Sequence, residues 1–121
     1  MSAADYGVES RRLGLARSTT SHGVIRLSVS GEVDISTVDQ LRGAISEILD
    51  EQGVKQLMLD FESLRFLDSS GIAAIIGGLH AARDRGAGFG VQNCHGSVRN
   101  VLEVTGVYES LAAADGKAVG K

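Results

Sequence analysis

The sequence predicts a single α/β domain in which helices back a mixed, mostly parallel sheet with an N-terminal hairpin. Three observations predict this fold class. Short apolar runs alternate along the chain with longer segments of helical periodicity, which is typical of a parallel sheet connected by helices. The first two apolar runs are separated by turn residues alone, as in a hairpin. The length of 121 residues suits one domain with its own core.

The N-terminal region predicts an arm, a strand and a turn. Residues 1–12 are polar and aperiodic, so we expect a loose N-terminal arm ahead of a domain that spans 13–121. Leu13 and Leu15 alternate with small residues and predict the first strand. The polar cluster Ser18–Gly23 predicts the turn that ends this strand.

The next two elements differ in their apolar period. Ile25, Leu27 and Val29 alternate with polar residues, which predicts a half-buried strand that ends at Gly31. Over Thr37–Gln52 the apolar residues recur with the spacing of an amphipathic helix. The predicted ends of this helix are a capping box of Ser36 and Asp39 and a stop at Gly53.

The centre of the chain carries the densest apolar run. Val54–Phe61 includes Leu57-Met58-Leu59, the pattern of a central strand that is covered on both faces. A loop over Glu62–Asp68 then leads to a second helix, which carries an apolar face from Ile72 onwards and stops near Gly86. The C-terminal third first predicts a short strand at Phe89 and Val91. A helix over Val98–Thr105 follows, capped by Ser97 and ended by Gly106. The last segment, Val107–Lys121, predicts one short strand and a helix stub.

The composition excludes several classes of partner. The net charge is −3, and there is no tryptophan or proline, so we expect no nucleic acid, stacked sugar or polyproline ligand. No apolar run approaches the ~20 residues of a membrane helix, and Met1–Tyr6 lacks a signal-peptide core, so no membrane association is expected. The single cysteine, Cys94, excludes an internal disulfide framework and suits a reducing, cytoplasmic compartment.

The residue types that commonly carry catalysis or bind metals are scattered. Three histidines lie in three segments without metal-ligand spacing, and one cysteine cannot build a zinc site, so no metal or other cofactor is predicted. Cys94-His95 is more typical of a buried strand end than of a nucleophile. The glycines of Gly86–Gly90 precede a predicted strand, whereas a dinucleotide fingerprint opens a helix, so they predict a turn. No catalytic residue emerges, and we do not expect an enzyme.

Three carboxylates follow predicted strands. Asp34, Asp60 and Asp68 each fall at or just after a strand end, and in a parallel sheet these ends share one edge, where ligands collect. One interpretation is that Asp34 and Asp68 cap the helices that follow them. The other is an acidic magnesium pocket of the receiver-domain type. The second is disfavoured, because the paired acidic residues and the late lysine of such a pocket are missing.

Two hydroxyls stand where a loop becomes a helix, in the run Asp68-Ser69-Ser70-Gly71. Aspartate and serine before a helical pattern are common caps, and capping alone explains them. The same place also favours a phosphate on a serine, because free backbone N–H groups and the helix dipole stabilise negative charge there. The residues by themselves leave both interpretations open.

Four segments occur together in a characteristic order. They are Gly31-Glu32-Val33-Asp34 before an amphipathic helix, Leu57-Met58-Leu59-Asp60-Phe61, Phe66-Leu67-Asp68-Ser69-Ser70-Gly71-Ile72, and Val98-x-x-Val101-Leu102-x-x-Thr105-Gly106. In this order they resemble the STAS domain, and more specifically the bacterial anti-sigma factor antagonists, from about Val24 to Leu111. The resemblance implies the family's mixed sheet backed by helices. Compared with that family, the N-terminal arm is longer and the C-terminal helix is expected to be nearly missing.

The resemblance also implies a function. In that family the serine after the loop aspartate is phosphorylated by a partner that is both anti-sigma factor and serine kinase. This implies Ser69 as the phosphoacceptor, with Ser70 as the second choice, and partner contacts at Asp34, Asp68, Ser70 and Gly71. The unphosphorylated chain would bind the anti-sigma factor and release the sigma factor, phosphorylation would end binding, and a serine phosphatase would reset the chain. The alternative is a non-phosphorylated STAS adaptor subunit of a transport or stress-sensing complex.

Overall fold

The computed structural model describes residues 12–115, and the side chains of residues 12–111. The predicted arm therefore lies outside the described residues, except for Arg12. The strands are β1 Leu13–Ser21, β2 Val24–Val33, β3 Gln56–Asp60, β4 Leu64–Leu67 and β5 Gly88–Gln92. The helices are α1 Val38–Asp50, α2 Ser69–Asp84, α3 Gly96–Val104 and α4 Val107–Asp115. No helix among the described residues is both long and apolar enough to cross a membrane.

The five strands form one mixed sheet in the order β1-β2-β3-β5, with β4 paired to β2. β1 and β2 are antiparallel and form the predicted N-terminal hairpin. β3 runs parallel to β2 over Val24–Ser28 and parallel to β5 along its whole length. β4 runs parallel to the last residues of β2, over Gly31–Val33. The predicted fold class, a mostly parallel sheet with helices, is confirmed.

The core is built from the alternating residues of β2, the central residues of β3 and the apolar faces of the helices. Every second residue of β2 is buried, as its pattern predicted. Leu57, Met58 and Leu59 are all buried, which confirms a central strand covered on both faces. The helices contribute buried residues such as Leu41 and Ile75 to the same core.

The hairpin turn predicted over Ser18–Gly23 is shorter in the structure. β1 continues to Ser21 because β2 pairs with it almost to its end. The turn is left to His22 and Gly23, and Gly23 has a φ of +78°, a conformation that glycine adopts without steric penalty. Pairing with a neighbouring strand therefore outweighs the turn propensity of the serines and threonines.

The loop predicted over Glu62–Asp68 is wrong in its middle, since it contains β4. The burial pattern of this strand is buried, exposed, exposed, buried, which has no period of two. Arg65 and Phe66 are the exposed pair. The strand exists because β2 extends two residues past Gly31 and offers it a parallel edge.

Two predicted helix caps are wrong. α1 begins after Thr37, not in a capping box, and its N-cap makes no side-chain hydrogen bond to the helix. α3 begins at Gly96, with His95 in place of Ser97 as the N-cap residue. In both cases the serine and threonine hydroxyls have other partners or face solvent. The presence of residue types that often cap helices therefore did not locate the N-caps.

The C-terminal helix, expected to be nearly missing, is a nine-residue helix, α4. No strand occurs between Val107 and Asp115, and residues 116–121 lie outside the described part. Val107 and Leu111 are 6% and 1% exposed and join the main core beside β5. The packing of a C-terminal helix against the core is therefore present.

Candidate functional site

The ends of β2 and β4 lie side by side and place Asp34 and Asp68 at the same edge of the sheet. Val33 pairs with Leu67, and the amide N of Asp68 donates to the carbonyl O of Val33 at 3.2 Å. Neighbouring strands are about 4.8 Å apart, so Asp34 and Asp68, the next residue on each strand, are adjacent. We call residues 34–36 and 68–71 the carboxyl edge.

Asp68 is the N-cap of α2. Its Oδ1 accepts hydrogen bonds from the backbone N of Ser70 at 2.9 Å and of Gly71 at 3.2 Å. The same oxygen accepts from the hydroxyl of Ser70 at 2.6 Å. The predicted capping role of Asp68 is confirmed, and it occupies the Ser70 hydroxyl, which is half-buried.

Ser69 is the first residue of α2. It differs from Ser70 in both its exposure and its hydrogen bonding. Its side chain is exposed, and its hydroxyl makes no hydrogen bond to any residue within 12–115. It stands at the N-terminus of a sixteen-residue helix, where the helix dipole favours negative charge. Of the two serines, Ser69 alone presents a free hydroxyl to solvent.

Gly71 is buried, because α2 begins in direct contact with the ends of both strands. A Cβ added at Gly71 would lie 2.3 Å from Cδ1 of Leu67 and 2.8 Å from Cγ1 of Val33. Glycine is required for this approach. Its predicted contact with a partner stays a prediction.

We expect Gly71→Ala to destabilise the fold by about 1–3 kcal/mol, because the new methyl group overpacks the helix start. Gly77→Ala is the matched control on the same helix, since nothing lies within 4 Å of the added Cβ. That variant should gain roughly 0.5–1 kcal/mol from helix propensity. Urea unfolding measures both, and equal effects of the two substitutions would contradict the close contact.

Asp34 organises the turn between β2 and α1. Its Oδ1 accepts from the backbone N of Ser36 at 2.9 Å and from the Ser36 hydroxyl at 2.7 Å. Its Oδ2 accepts from Nη2 of Arg12 at 2.7 Å. The hydrogen bond from the Ser36 hydroxyl, helped by Arg12, lowers the pKa of the Asp34 carboxyl below its usual value. The carboxylate is therefore ionised throughout the neutral range.

The expectation that the Asp34 side chain caps the following helix is wrong. Its backbone carbonyl accepts from the N–H groups of Thr37 and Val38 at 3.0 and 2.8 Å, but its carboxylate reaches no N–H group of α1. The carboxylate holds the turn that precedes the helix. Capping of α1 by its side chain therefore does not explain the aspartate at position 34.

The carboxyl edge also carries an exposed apolar side chain that the sequence reasoning missed. Ile35 follows Asp34 and is 82% exposed, and Phe66, two residues before Asp68, is 46% exposed. Large apolar side chains that protrude singly are common, but here Ile35 lies within a polar turn, and Phe66 lies on β4 beside the end of β2. An isoleucine between an aspartate and a serine, directly before the predicted helix, was the available signal.

Asp60 does not belong to the carboxyl edge, contrary to the expectation that the three acidic strand ends meet. It pairs with Ser28, five residues before Val33 on β2, which places it about 17 Å further back along the strand. Its Oδ1 accepts from Nδ2 of Asn93 at 2.9 Å and from the backbone N of Glu62 at 3.1 Å. Asp60 fixes two loops to each other.

Cys94 is a poor nucleophile, as predicted, whereas the turn predicted over Gly86–Gly90 is confirmed only at its start. Burial raises the pKa of the Cys94 thiol to about 11, so the thiol is protonated at neutral pH and is a poor nucleophile. Gly86 lies in the turn after α2 with a φ of +73°, and Gly88–Gly90 belong to β5. Neither feature offers a phosphate-binding loop at a helix start.

Comparison with known proteins gives a family. A model of the STAS domain matches residues 16–117. The anti-sigma F factor antagonist of Paenibacillus polymyxa is 27% identical over 93 residues, which are 77% of this chain and 80% of that protein.

Solved structures agree with this match. The unphosphorylated anti-sigma factor antagonist SpoIIAA superposes with a TM-score of 0.71 at 24% identity, over 79% of this chain and 84% of that one. The phosphorylated form of SpoIIAA from Bacillus gives 0.64 at 23% identity, over 78% and 85%. An anti-sigma factor antagonist from Mycobacterium paratuberculosis gives 0.64 at 25% identity, over 80% and 82%.

Proposed function

The chain belongs to the STAS-domain family, and from this we propose that it is an anti-sigma factor antagonist whose carboxyl edge binds the anti-sigma factor. The observation that carries the proposal is Ser69. It is exposed, its hydroxyl has no hydrogen-bond partner among residues 12–115, and it stands at a helix start directly after Asp68.

The switch works through charge. The anti-sigma factor also acts as the serine kinase: the Ser69 oxygen forms a bond to the γ-phosphorus of ATP, the bond to ADP breaks, and the hydroxyl proton leaves to the kinase. The phosphate adds about −1.5 to −2 charges beside Asp34 and Asp68. A partner surface shaped for a neutral serine then faces unpaired like charge. A serine phosphatase restores the binding form by hydrolysis.

The unphosphorylated carboxyl edge fits a partner with an apolar pocket flanked by basic groups. Ile35 supplies an apolar anchor that is held by the Asp34–Ser36 turn, so little conformational entropy is lost on docking. Asp34 and Asp68 supply negative charge on either side. The chain itself needs neither cofactor nor catalytic residue in this role, and its action on the sigma factor is indirect.

Phosphorylation of Ser69 tests the proposal directly. The wild-type chain is incubated with the purified anti-sigma factor that co-purifies with it, ATP and Mg²⁺, and its peptides are analysed by mass spectrometry. We expect one phosphate, on Ser69, and none on the Ser69→Ala variant. Ser70→Ala is the matched control and should still be modified. Phosphate on Ser70, Ser36 or Thr37 with Ser69 unmodified would contradict the assignment.

Asp34→Asn tests the partner contact separately. Asparagine retains the oxygen that accepts from Ser36, so the thermal midpoint should be nearly unchanged. Loss of the charge should weaken binding to the anti-sigma factor about tenfold, with a smaller salt dependence. Calorimetric titration measures both quantities. Asp39→Asn is the control, because Asp39 is an exposed carboxylate on α1 outside the carboxyl edge, and unchanged affinity in Asp34→Asn would refute the contact.

A further inference from the structure

Asp34 already has a basic partner within the chain. Nη2 of Arg12 lies 2.7 Å from Oδ2 of Asp34, and the side chains are 40% and 23% exposed. Arg12 directly precedes β1, whereas Asp34 directly follows β2, its antiparallel neighbour. The hairpin thus brings together two residues that are 22 positions apart.

The two oxygens of Asp34 have different functions. Oδ1 holds the turn through the backbone and hydroxyl of Ser36. Oδ2 binds only Arg12 among the residues that the structure describes. An incoming basic group can therefore replace Arg12 without undoing the turn, since the turn does not depend on Oδ2.

We propose that Arg12 is an internal competitor for Asp34, displaced when a basic group of the anti-sigma factor docks at the carboxyl edge. This inference rests on the proposed function. In the free protein Arg12 cancels the charge of Asp34, and each binding event must first break this ion pair. Arg12 therefore lowers the affinity of the unphosphorylated form and sets how strongly that affinity depends on salt. Ion pairs at this degree of exposure each contribute little free energy, so the expected effect of Arg12 on affinity is small.

Arg12→Gln tests the competition, with Arg17→Gln as a matched control. Arg17 is also on the hairpin, is 42% exposed and is paired with a carboxylate, Glu51, that is distant from the carboxyl edge. Binding of the purified anti-sigma factor is measured by calorimetry. We expect Arg12→Gln to bind about two- to fivefold more tightly, the range for release of a partly exposed ion pair, and Arg17→Gln to bind like wild type. In an Asp34→Asn background, Arg12→Gln should have no effect.

Each other outcome overturns the inference. Unchanged affinity in Arg12→Gln means that the ion pair does not compete, and weaker binding means that Arg12 contacts the partner or supports the turn. A lowered thermal midpoint identifies the supporting role. If Asp34→Asn and Ser69→Asp both leave binding unchanged, the proposed function fails. If Asp34→Asn weakens binding while Arg12→Gln does not tighten it, the competition alone fails.

Discussion

Ser69→Asp is expected to bind the anti-sigma factor at least about tenfold more weakly than wild type, whereas Ser69→Ala should bind normally. The aspartate adds one negative charge beside Asp34 and Asp68, and phosphoserine, with nearly two, should weaken binding about a hundredfold. Ser69→Ala keeps the edge neutral and removes the acceptor. In the cell, sigma-dependent transcription should therefore stay on in Ser69→Ala and low in Ser69→Asp.

Stability separates this charge effect from damage to the helix. The N-cap of α2 is Asp68, so Ser69→Ala removes no capping bond and should change stability by less than about 0.5 kcal/mol. Ser97→Asp is the charge control, because Ser97 is an exposed serine in the first turn of α3, outside the carboxyl edge. If Ser69→Asp binds as tightly as wild type, the phosphoswitch fails and the static adaptor takes its place.

Leu111→Ala is expected to destabilise the fold by about 2–5 kcal/mol, although it lies near the end of the described chain. Leu111 is 1% exposed, and truncation leaves a cavity between α4 and the sheet. Val104→Ala is the control for the loss of apolar volume, because Val104 is 74% exposed, and its effect should stay within about 0.5 kcal/mol.

Urea unfolding at equilibrium compares the two variants. Leu111→Ala should lower the midpoint concentration without a change in slope, as for a loss of stability alone. Similar midpoints for Leu111→Ala and Val104→Ala would mean that α4 adds no packing layer. Neither residue touches the carboxyl edge, so partner affinity at a temperature where both variants are folded should match wild type.

Sequence reasoning succeeded where a local pattern carries the structure. The run at Leu57–Leu59 is apolar on both faces, and the central strand followed from it. Asp68 directly precedes the helical pattern, so its capping role could be inferred from the residues, whereas Ser69 as phosphoacceptor is implied only by the family resemblance and stays a prediction. Sequence reasoning failed where residues that are distant in sequence determine the structure. β4 exists because it pairs with the edge of β2, and Arg12 meets Asp34 only through the hairpin. The packing of α4 likewise depends on contacts with β5 that residue types near the C-terminus do not reveal.

The close packing of Gly71 against β2 and β4 bears on how the proposed phosphorylation of Ser69 would act on a partner. The helix start lies directly against the side chains of Val33 and Leu67, which leave no room for inward movement, and Asp68 caps it. Under the proposed function, a phosphoryl group would therefore project outward from an unchanged backbone. Its effect on a partner would be electrostatic and would need no rearrangement of the domain. Such a switch would reverse as fast as the phosphate is added and removed, because no refolding step would stand between its two states.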